Sequence, residues 1–428
     1  MLEAGYTDTP LQIIIYNTMG AKMNTKTKWH VLIGGFIAYL FDAMEIILLS
    51  IALPVIRQDL GLSINEAGAL ATATLLGIGA SSIVTGWYSD NYGRRKALIA
   101  SLLVFGSLTA AIAYANELYM LLLLRFVSGL GLGGVWSIVS AYIAETWPPQ
   151  QRARATAFVI SAFPIGAILA AMTAKYMLPE WRTLFLYSGI AVVLPIAYIL
   201  LFVPESQSWK NQKDTAVNKA NVSIKEIFSA DLQKTTLLGT TAASFALLGY
   251  WGASTWLPSY LVQERGLSLG AMAGFMAMLN FGNFLGMNFF GFLADKIGKR
   301  NTIITTLLLT AVMVPIYVYS SDSKSLFWIG PIYAFFIAFA GLFGSYFSEL
   351  YPTRVRTMGT GFCFNAGRGL AAFAPILLSG IASYYSLAAG LMICAGFFVI
   401  SALVLTRMPS KATTPLPDRA PDPAVMAK

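Results

Sequence analysis

The sequence is poor in charged residues, because Asp, Glu, Lys and Arg together make up only 11% of its 428 positions. A water-soluble domain of ordinary composition carries about 25% charged residues. Hydrophobic residues account for 57% of the chain, and the mean hydropathy is +0.65. This composition argues against a soluble enzyme and indicates a chain whose solvent is largely the lipid bilayer.

Cysteine is equally scarce. Cys363 and Cys394 both lie in apolar runs and supply no disulfide framework. The sequence has no phosphate-binding Walker loop, no nucleotide-binding fingerprint and no cluster of metal-ligating residues. We therefore predict that the protein is not an enzyme, holds no cofactor or metal, and draws energy from an ion gradient or from the gradient of its own solute.

Twelve apolar runs follow one another along the chain, each near the ~20 residues that a helix needs to cross a bilayer. Short polar segments separate them, which predicts an all-α integral membrane protein. The runs lie near residues 31–54, 66–88, 97–115, 118–143, 155–173, 185–203, 236–258, 271–293, 302–320, 326–347, 358–381 and 387–405.

Two loop motifs occur twice at nearly the same spacing. The string Gly86-Trp-Tyr-Ser-Asp90-Asn-Tyr-Gly93-Arg94-Arg95 is echoed 205 residues later (291 − 86) by Gly291-Phe-Leu-Ala-Asp295-Lys-Ile-Gly298-Lys299-Arg300. Glu145-Thr-Trp-Pro-Pro-Gln-Gln-Arg152 is echoed 204 residues later (349 − 145) by Glu349-Leu-Tyr-Pro-Thr-Arg-Val-Arg356. Such a repeat predicts a duplicated architecture.

The predicted organisation is two six-helix bundles, residues 31–203 and 236–406, joined by a polar linker at 204–235. Residues 1–30 and 407–428 are predicted to be tails. Parallel repeats of this kind place a substrate site near the membrane midplane, between the halves.

Basic residues are concentrated on one side of the predicted spans. The opposite loops hold only Arg57, Lys175, Arg182, Arg265 and Lys324. Because basic loops stay on the cytoplasmic side, we predict a multi-pass inner-membrane (plasma-membrane) protein with both termini in the cytoplasm. The net charge of +9 is then a topology signal, and no nucleic-acid partner is expected.

The repeated loops combine glycines, which permit close helix packing, with cations that can bind carboxylates or helix C-terminal carbonyls across the cytoplasmic interface. Such contacts can break and reform as the halves move, although the arginines could also be orientation signals alone. We assign conformational gating to Gly86, Asp90, Gly93, Arg94, Arg95, Glu145, Arg152, Asp295, Gly298, Arg300, Glu349 and Arg356.

Charges inside apolar runs are the strongest functional candidates, because each costs ~2.5 kcal/mol or more at the centre of a membrane helix. Asp42 lies halfway along the first run, and Glu45 follows on the same helical face. A carboxylate whose protonation depends on burial and on a neighbouring cation suits proton coupling, and Arg125 in the fourth run could be that cation. The alternative is a static ion pair between the first and fourth helices.

Arg368 lies twelve residues beyond Arg356, which at 1.5 Å per residue places it ~18 Å into the membrane. The second set of runs contains no acid except Glu349 at an end. An anionic substrate could therefore pair with the guanidinium in bidentate geometry. Pairing with Asp42 or Glu45 across the cavity, or bonding to backbone carbonyls, are the alternatives.

Aromatic and amide side chains could complete a substrate site. Trp136, Tyr250 and Trp251 could select a ring, while Asn280 and Asn365 lie near mid-run and need hydrogen-bond partners. The alternatives are interfacial anchoring of the aromatic residues and helix–helix bonding by the amides.

The repeated loops resemble the signature loop of the major facilitator superfamily, and the resemblance extends over nearly all of residues 31–405. The stretch from Arg125 to Gly134 resembles the superfamily's fourth-helix motif, and Pro204-Glu205-Ser206 resembles its signature after the sixth helix. This resemblance implies twelve transmembrane helices in two pseudo-symmetric bundles that work by alternating access.

Asp42-Ala43-Met44-Glu45 resembles the Asp-Gly-aromatic-Asp motif of bacterial aromatic-acid/proton symporters, with Ala43 in place of Gly and Glu45 in place of Asp. Asn365-Ala-Gly-Arg368 resembles the eleventh-helix arginine of those proteins and of organic-anion transporters, and other stretches look like bacterial sialic-acid symporters. The resemblance implies a monomer that takes up a small organic anion, an aromatic acid or a sugar acid, with a proton. A proton-driven exporter and a non-transporting sensor are the alternatives.

Overall fold

A computed structural model describes residues 25–207, 209–210, 224–320, 322–352 and 355–410, except for the side chains of a few positions within them. Part of the predicted linker and most of both predicted tails lie outside these residues. The first part of the chain forms α1 (Thr25–Asp59), α2 (Ile64–Tyr92), α3 (Arg94–Ile112), α4 (Leu118–Thr146), α5 (Pro149–Ile160), α6 (Ala162–Met177), α7 (Trp181–Ala191) and α8 (Val193–Phe202).

A 3₁₀ turn (Ile224–Phe228) precedes the second part of the chain. Its helices are α9 (Gln233–Gln263), α10 (Leu269–Ile297), α11 (Lys299–Val318), α12 (Ser323–Phe335), α13 (Phe339–Leu350), α14 (Arg356–Ala371), α15 (Ala374–Tyr384) and α16 (Leu387–Thr406). Within the described ranges, ten stretches are long and apolar enough to cross a membrane. With α2 and α9 they make the twelve spans that the hydropathy pattern predicts.

Four spans consist of two helices laid end to end: α5–α6, α7–α8, α12–α13 and α14–α15. Proline explains three of the four breaks, because it lacks an N–H and cannot bond to the carbonyl four residues earlier. Pro164, Pro195 and Pro375 each lie within the first three residues of the second helix of their span. In the eleventh span the break at Ala372–Phe373 comes one turn after Arg368.

Glycine and serine pairs mark the duplication in three dimensions. Gly61 and Gly266 both have positive φ, at 62° and 64°, and lie two residues before Ser63 and Ser268, which cap α2 and α10. Their offset is 205 (266 − 61), the same as that of the predicted motif. This third repeated element, Gly-Leu-Ser, was missed from sequence because it is short and common.

Gly93 and Gly298 separate consecutive helices and also have positive φ, at 108° and 89°. L-residues with a side chain rarely adopt this conformation. The backbone turn between α2 and α3, and between α10 and α11, therefore requires glycine at these two positions. A close approach is also found at Gly93, where an added Cβ would clash with the Glu205 carboxylate, whereas nothing lies within 4 Å of one at Gly298.

Close packing instead explains the glycines of α4. A Cβ added to Gly129 would lie 2.4 Å from the Thr74 carbonyl oxygen and 3.0 Å from the Gly77 Cα, so α2 and α4 touch backbone to backbone. Gly131, Gly133 and Gly134 make similar approaches to α3 and α2. Small residues drive membrane helices together by allowing such contacts.

The two halves meet on the side of the membrane away from the termini. There α1 packs against α9, α2 against α15, and α6 against α10. Arg57 at the end of α1 donates to the Gln263 side-chain oxygen at the end of α9, at 2.9 Å. Gly68 of α2 lies directly against Pro375 and Ser379 of α15. This conformation is therefore closed toward the side opposite the termini.

We expect Gly129→Ala to lower the thermal unfolding temperature of the detergent-solubilised protein, because the new methyl group meets backbone atoms that cannot move aside. Overpacking of this kind costs about 1–3 kcal/mol. Gly396→Ala is the matched control, since nothing lies within 4 Å of its added Cβ. Equal stability of the two variants would contradict the backbone contact between α2 and α4.

We also expect a short bismaleimide to cross-link the two cysteines of the double variant Arg57→Cys/Gln263→Cys, because the native side chains touch across the two halves. A protease site inserted within residues 211–223 allows the chain to be cut between the halves. On a denaturing gel the cut halves then run together if they are cross-linked and apart if they are not. The single variants are the controls, and Cys363 and Cys394 are buried. Complete separation of the halves after treatment of the double variant would contradict the closed arrangement.

Candidate functional site

An ion pair in the first half joins α1 to α4. The Arg125 Nη1 atom lies 2.7 Å from the Glu45 Oε1 atom, and these residues are only 1% and 3% exposed. The Arg125 Nε–H donates to the Thr74 hydroxyl of α2 at 3.0 Å. The pair thus connects three helices, and this geometry matches the static alternative weighed for these residues.

Asp42 lies one turn earlier on α1 and is 3% exposed. Its Oδ1 atom has no hydrogen-bond partner among the described residues. Arg368 of the other half lies within electrostatic range of this carboxylate, as one of the alternatives for Arg368 anticipated, although the two groups are not at ion-pair distance in the described structure. The assignment of proton coupling to Asp42, Glu45 and Arg125 stays a prediction.

Arg368 occupies the last turn of α14, beside the break in the eleventh span. A helix C-terminus carries partial negative charge, which favours a cation there. Within the described part of the chain Arg368 has no carboxylate at ion-pair distance, although its charge acts on Asp42, Tyr39 and Tyr250. Its guanidinium is therefore not paired with a carboxylate among the described residues, which leaves it available for an anion.

Aromatic side chains line the first-half wall of this region. Tyr39 of α1 packs against Trp136 of α4, with ring centroids 5.1 Å apart, and against Phe163 of α6 at 6.1 Å. Trp136 was predicted for the site, whereas Tyr39 was not. Its spacing of three residues before Asp42 places both on one helical face, which was the signal available in the sequence.

The residues of the second half that were predicted for the substrate site do not all lie in one place. Tyr250 and Asn280 line a small cavity with a volume of about 30 Å³, while Trp251 is buried and packs against Tyr250 edge to face. Asn365 is exposed and lies one turn before Gly369, which approaches Gly79 of the other half. Tyr250, Asn280 and Asn365 are thus placed where a solute between the halves could reach them, whereas Trp251 is part of the wall.

The repeated loops form equivalent ion pairs on the side of the termini. Arg94 Nη2 lies 3.0 Å from Glu145 Oε1 in the first half, and Lys299 Nζ lies 2.5 Å from Glu349 Oε1 in the second. Lys299 is the counterpart of Arg94 (299 − 94 = 205) but was not among the predicted gating residues. Both pairs lie within one half, not across the interface between halves.

The second cation of each loop binds the end of the last helix of its own half. Arg95 donates to the Leu200 carbonyl of α8, and Arg300 donates to the Leu405 carbonyl of α16 at 2.9 Å. The Arg95 amide also donates to the Glu205 carboxylate, at 3.1 Å. Cations stabilise helix C-termini in this way. The predicted bonds to carboxylates and helix ends are thus found, inside each bundle.

Five of the predicted gating positions lie in described helices, but the structure does not describe their side chains: Gly86, Asp90, Arg152, Asp295 and Arg356. Their roles stay predictions, as does the movement of the halves that the gating assignment implies.

Comparison with known proteins confirms the resemblance that the loop motifs indicated. A family model of the Major Facilitator Superfamily matches residues 31–371. The cis,cis-muconate transport protein of Acinetobacter baylyi is 30% identical over 86% of this chain and 91% of that protein. The sialic acid transporter NanX of Escherichia coli is 28% identical over 85% of this chain and 89% of that protein.

The fold is similar to that of the xylose transporter XylE from Escherichia coli in its inward-open conformation. The TM-score is 0.74 at 16% sequence identity, over 90% of this chain and 97% of that chain. This similarity confirms the predicted fold class of twelve helices in two bundles.

We expect Arg125→Gln to destabilise the protein strongly, because it leaves the Glu45 carboxylate buried without its counter-charge. Removing one partner of a buried ion pair costs about 3–5 kcal/mol, whereas replacing both partners is often nearly neutral. The double variant Glu45→Gln/Arg125→Gln should therefore recover most of the thermal stability in detergent. A double variant as unstable as Arg125→Gln alone would show that the pair is not what holds α1 to α4.

Proposed function

We propose that this chain, which belongs to the major facilitator superfamily of membrane transporters, takes up a small organic carboxylate together with a proton. The observation that carries this proposal is the arrangement of Arg368 and Asp42. The charge of Arg368 in one half reaches the buried Asp42 carboxylate of the other, the two groups are not at ion-pair distance, and the carboxylate has an oxygen without a hydrogen-bond partner in the described structure. Cis,cis-muconate and sialic acid, the solutes named for two relatives, are both organic acids.

The coupling we propose is a competition for Arg368. In the empty transporter Arg368 compensates the negative charge of Asp42. A substrate carboxylate forms a shorter-range, bidentate pair with the guanidinium and takes over this compensation. Asp42 is then a buried carboxylate without a counter-charge, which favours its protonated form. Substrate and proton therefore bind together, and a monoanion with one proton is carried without net charge.

Glu45 and Arg125 have a different role in this proposal. Their ion pair is short, buried and contained within the first half, although the Arg125 Nη2 atom has no hydrogen-bond partner among the described residues. Glu45 therefore does not lose its counter-charge when a substrate binds Arg368. We propose that the pair holds α1 against α4 and keeps Asp42 at the interface. Proton coupling is thereby assigned to Asp42, with Arg368 as the carboxylate ligand.

The orientation of the protein in the membrane determines which side the described conformation opens to. With both termini in the cytoplasm, as the basic loops predict, the closed side of the structure is the outside, and the conformation is one from which a solute exchanges with the cytoplasm. The bundle would then alternate between this state and one in which the contacts of Arg57 and Gly68 with the other half are broken.

We expect Asp42→Asn in proteoliposomes to abolish proton-driven accumulation of the substrate, by about tenfold or more, while exchange of substrate for substrate continues. The amide imitates the protonated acid and cannot release a proton. Asp59→Asn is the matched control, because Asp59 pairs with Arg182 near the outer end of α1. Accumulation at the wild-type level in Asp42→Asn would remove Asp42 from the coupling.

We expect Arg368→Ala to raise the half-saturation concentration for the acid by about 10- to 100-fold, since a charge-assisted bond contributes about 1.5–3 kcal/mol. Arg182→Ala is the control. The readout is alkalinisation outside the vesicles on adding the acid. Silence with every acid, together with proton release when cationic or neutral compounds are added, would instead support an exporter.

A further inference from the structure

The eleventh span is interrupted between α14 and α15, and this interruption weakens the hold of α14 on α15. α14 ends at Ala371, and α15 begins at Ala374. Pro375 has no amide hydrogen, so it cannot donate to the carbonyl of Ala371 as a residue in a continuous helix would. The two segments are therefore not one rigid rod, and α14 alone does not fix the direction of α15.

A side chain of α9 anchors α15 directly after the break. Trp256 is 1% exposed, and its indole Nε1–H donates to the Pro375 carbonyl oxygen at 2.9 Å. A buried indole N–H needs such a partner, because no solvent can replace the bond. Trp256 thus ties α15 to α9, a helix of the same half.

The same carbonyl lies at the contact between the two halves. A Cβ added to Gly68 of α2 would lie 2.9 Å from the Pro375 oxygen and 2.6 Å from the Ser379 Oγ atom. Ser379 is fully buried, and its hydroxyl donates to the Ile376 carbonyl of its own helix. The start of α15 is thus held by Trp256 in its own half and packed against α2 of the other.

α9 makes a second contact with the first half on this side of the protein, opposite the termini. Gln263 lies seven residues (263 − 256) beyond Trp256, and α9 remains one helix between them although it contains Pro258. The Gln263 Oε1 atom accepts a hydrogen bond from Arg57 Nη1 of α1, at 2.9 Å. α9 therefore takes part in one closing contact directly and in the other through Trp256.

We propose that Trp256 is a positioning residue for transport, which fastens α15 to α9 so that the two closing contacts form and break as one. These contacts are Arg57 with Gln263 and Gly68 with α15. Without the indole bond, α15 pivots at the break in its span while α9 stays in place. The inference goes beyond the proposed function, because it does not depend on which solute or which ion the protein carries.

The first test removes the bond and keeps an aromatic ring. In Trp256→Phe we expect Ser379→Cys to react with a bulky, water-soluble maleimide at least tenfold faster than when Trp256 is intact, because α15 moves away from α2 on its own. Bismaleimide cross-linking of Arg57→Cys with Gln263→Cys should stay within twofold of its level with Trp256 intact. The protein without introduced cysteines gives the background reaction.

Trp181→Phe is the matched control for this test. Trp181 is 2% exposed, and its indole Nε1–H donates to the Asp59 carboxylate at 3.0 Å, so its replacement removes an indole bond between helices of the first half. It should leave the labelling of Ser379→Cys within twofold. An unchanged labelling rate in Trp256→Phe would overturn the inference. Equal loosening of both closing contacts would overturn it too, since the indole would then only stabilise the closed side as a whole.

The second test pushes α15 from the opposite side. The methyl group of Gly68→Ala meets α15 at the distances given above, so that helix must move away, and Trp256 makes α9 move with it. We expect Gly68→Ala to lower the cross-linking of Arg57→Cys with Gln263→Cys at least threefold. In the combined variant with Trp256→Phe, α15 yields alone, and cross-linking should return to within twofold of the level without either change.

Gly79→Ala is the control for the second test, because the nearest contact of its added Cβ in the described structure is the Gly369 Cα atom, at 3.9 Å. It lies on the same helix, α2, and should leave the cross-linking within twofold. Cross-linking as low in the combined variant as in Gly68→Ala alone, or lower, is the result of a purely stabilising role and would overturn the inference. Neither test uses a solute, so that outcome would leave the proposed function untouched.

Discussion

A charge at the centre of a membrane is stable only beside an opposite charge, and this constraint organises the middle of the molecule. The four buried or half-buried charged residues of the membrane spans respond to this constraint in two different ways. Glu45 and Arg125 satisfy each other within one half, at 2.7 Å. Asp42 and Arg368 belong to different halves and interact electrostatically across the interface. The first arrangement stabilises a bundle, whereas the second depends on how the two bundles are placed.

This difference explains why α1 can serve both as scaffold and as sensor. Glu45 forms an ion pair with Arg125 of α4. Asp42, one turn away on the same face of α1, is instead within electrostatic range of Arg368 in α14. A substrate anion that replaces Asp42 at Arg368 changes the charge balance at the interface without disturbing the pair beneath it. The duplicated loops at the membrane surface also form ion pairs inside one half. Arg94 pairs with Glu145 in the first half, and Lys299 pairs with Glu349 in the second. In the proposed transport cycle the two bundles move against each other as units.

The helix breaks and glycines supply the geometry for this arrangement. Pro375 interrupts the eleventh span directly after the turn that holds Arg368, so the cation lies near exposed backbone at a helix end. Gly129 and Gly77 bring α2 and α4 into backbone contact, which positions Arg125 and Thr74 around Glu45.

The sequence by itself determined the twelve spans, the duplication at an offset of 205, the family and the four membrane charges. These follow from composition, hydrophobic run length and repeated strings, which are local properties of the chain. Only the tertiary structure decided which acid pairs with Arg125, because Asp42 and Glu45 share one helical face and the chosen partner, Glu45, lies 80 residues away (125 − 45). It also decided that Trp251 belongs to the wall, that Tyr39 lies beside Trp136, and that Gly93 and Gly298 serve a backbone turn. Such distinctions depend on helix rotation and on contacts between distant segments, which residue spacing along one helix does not determine.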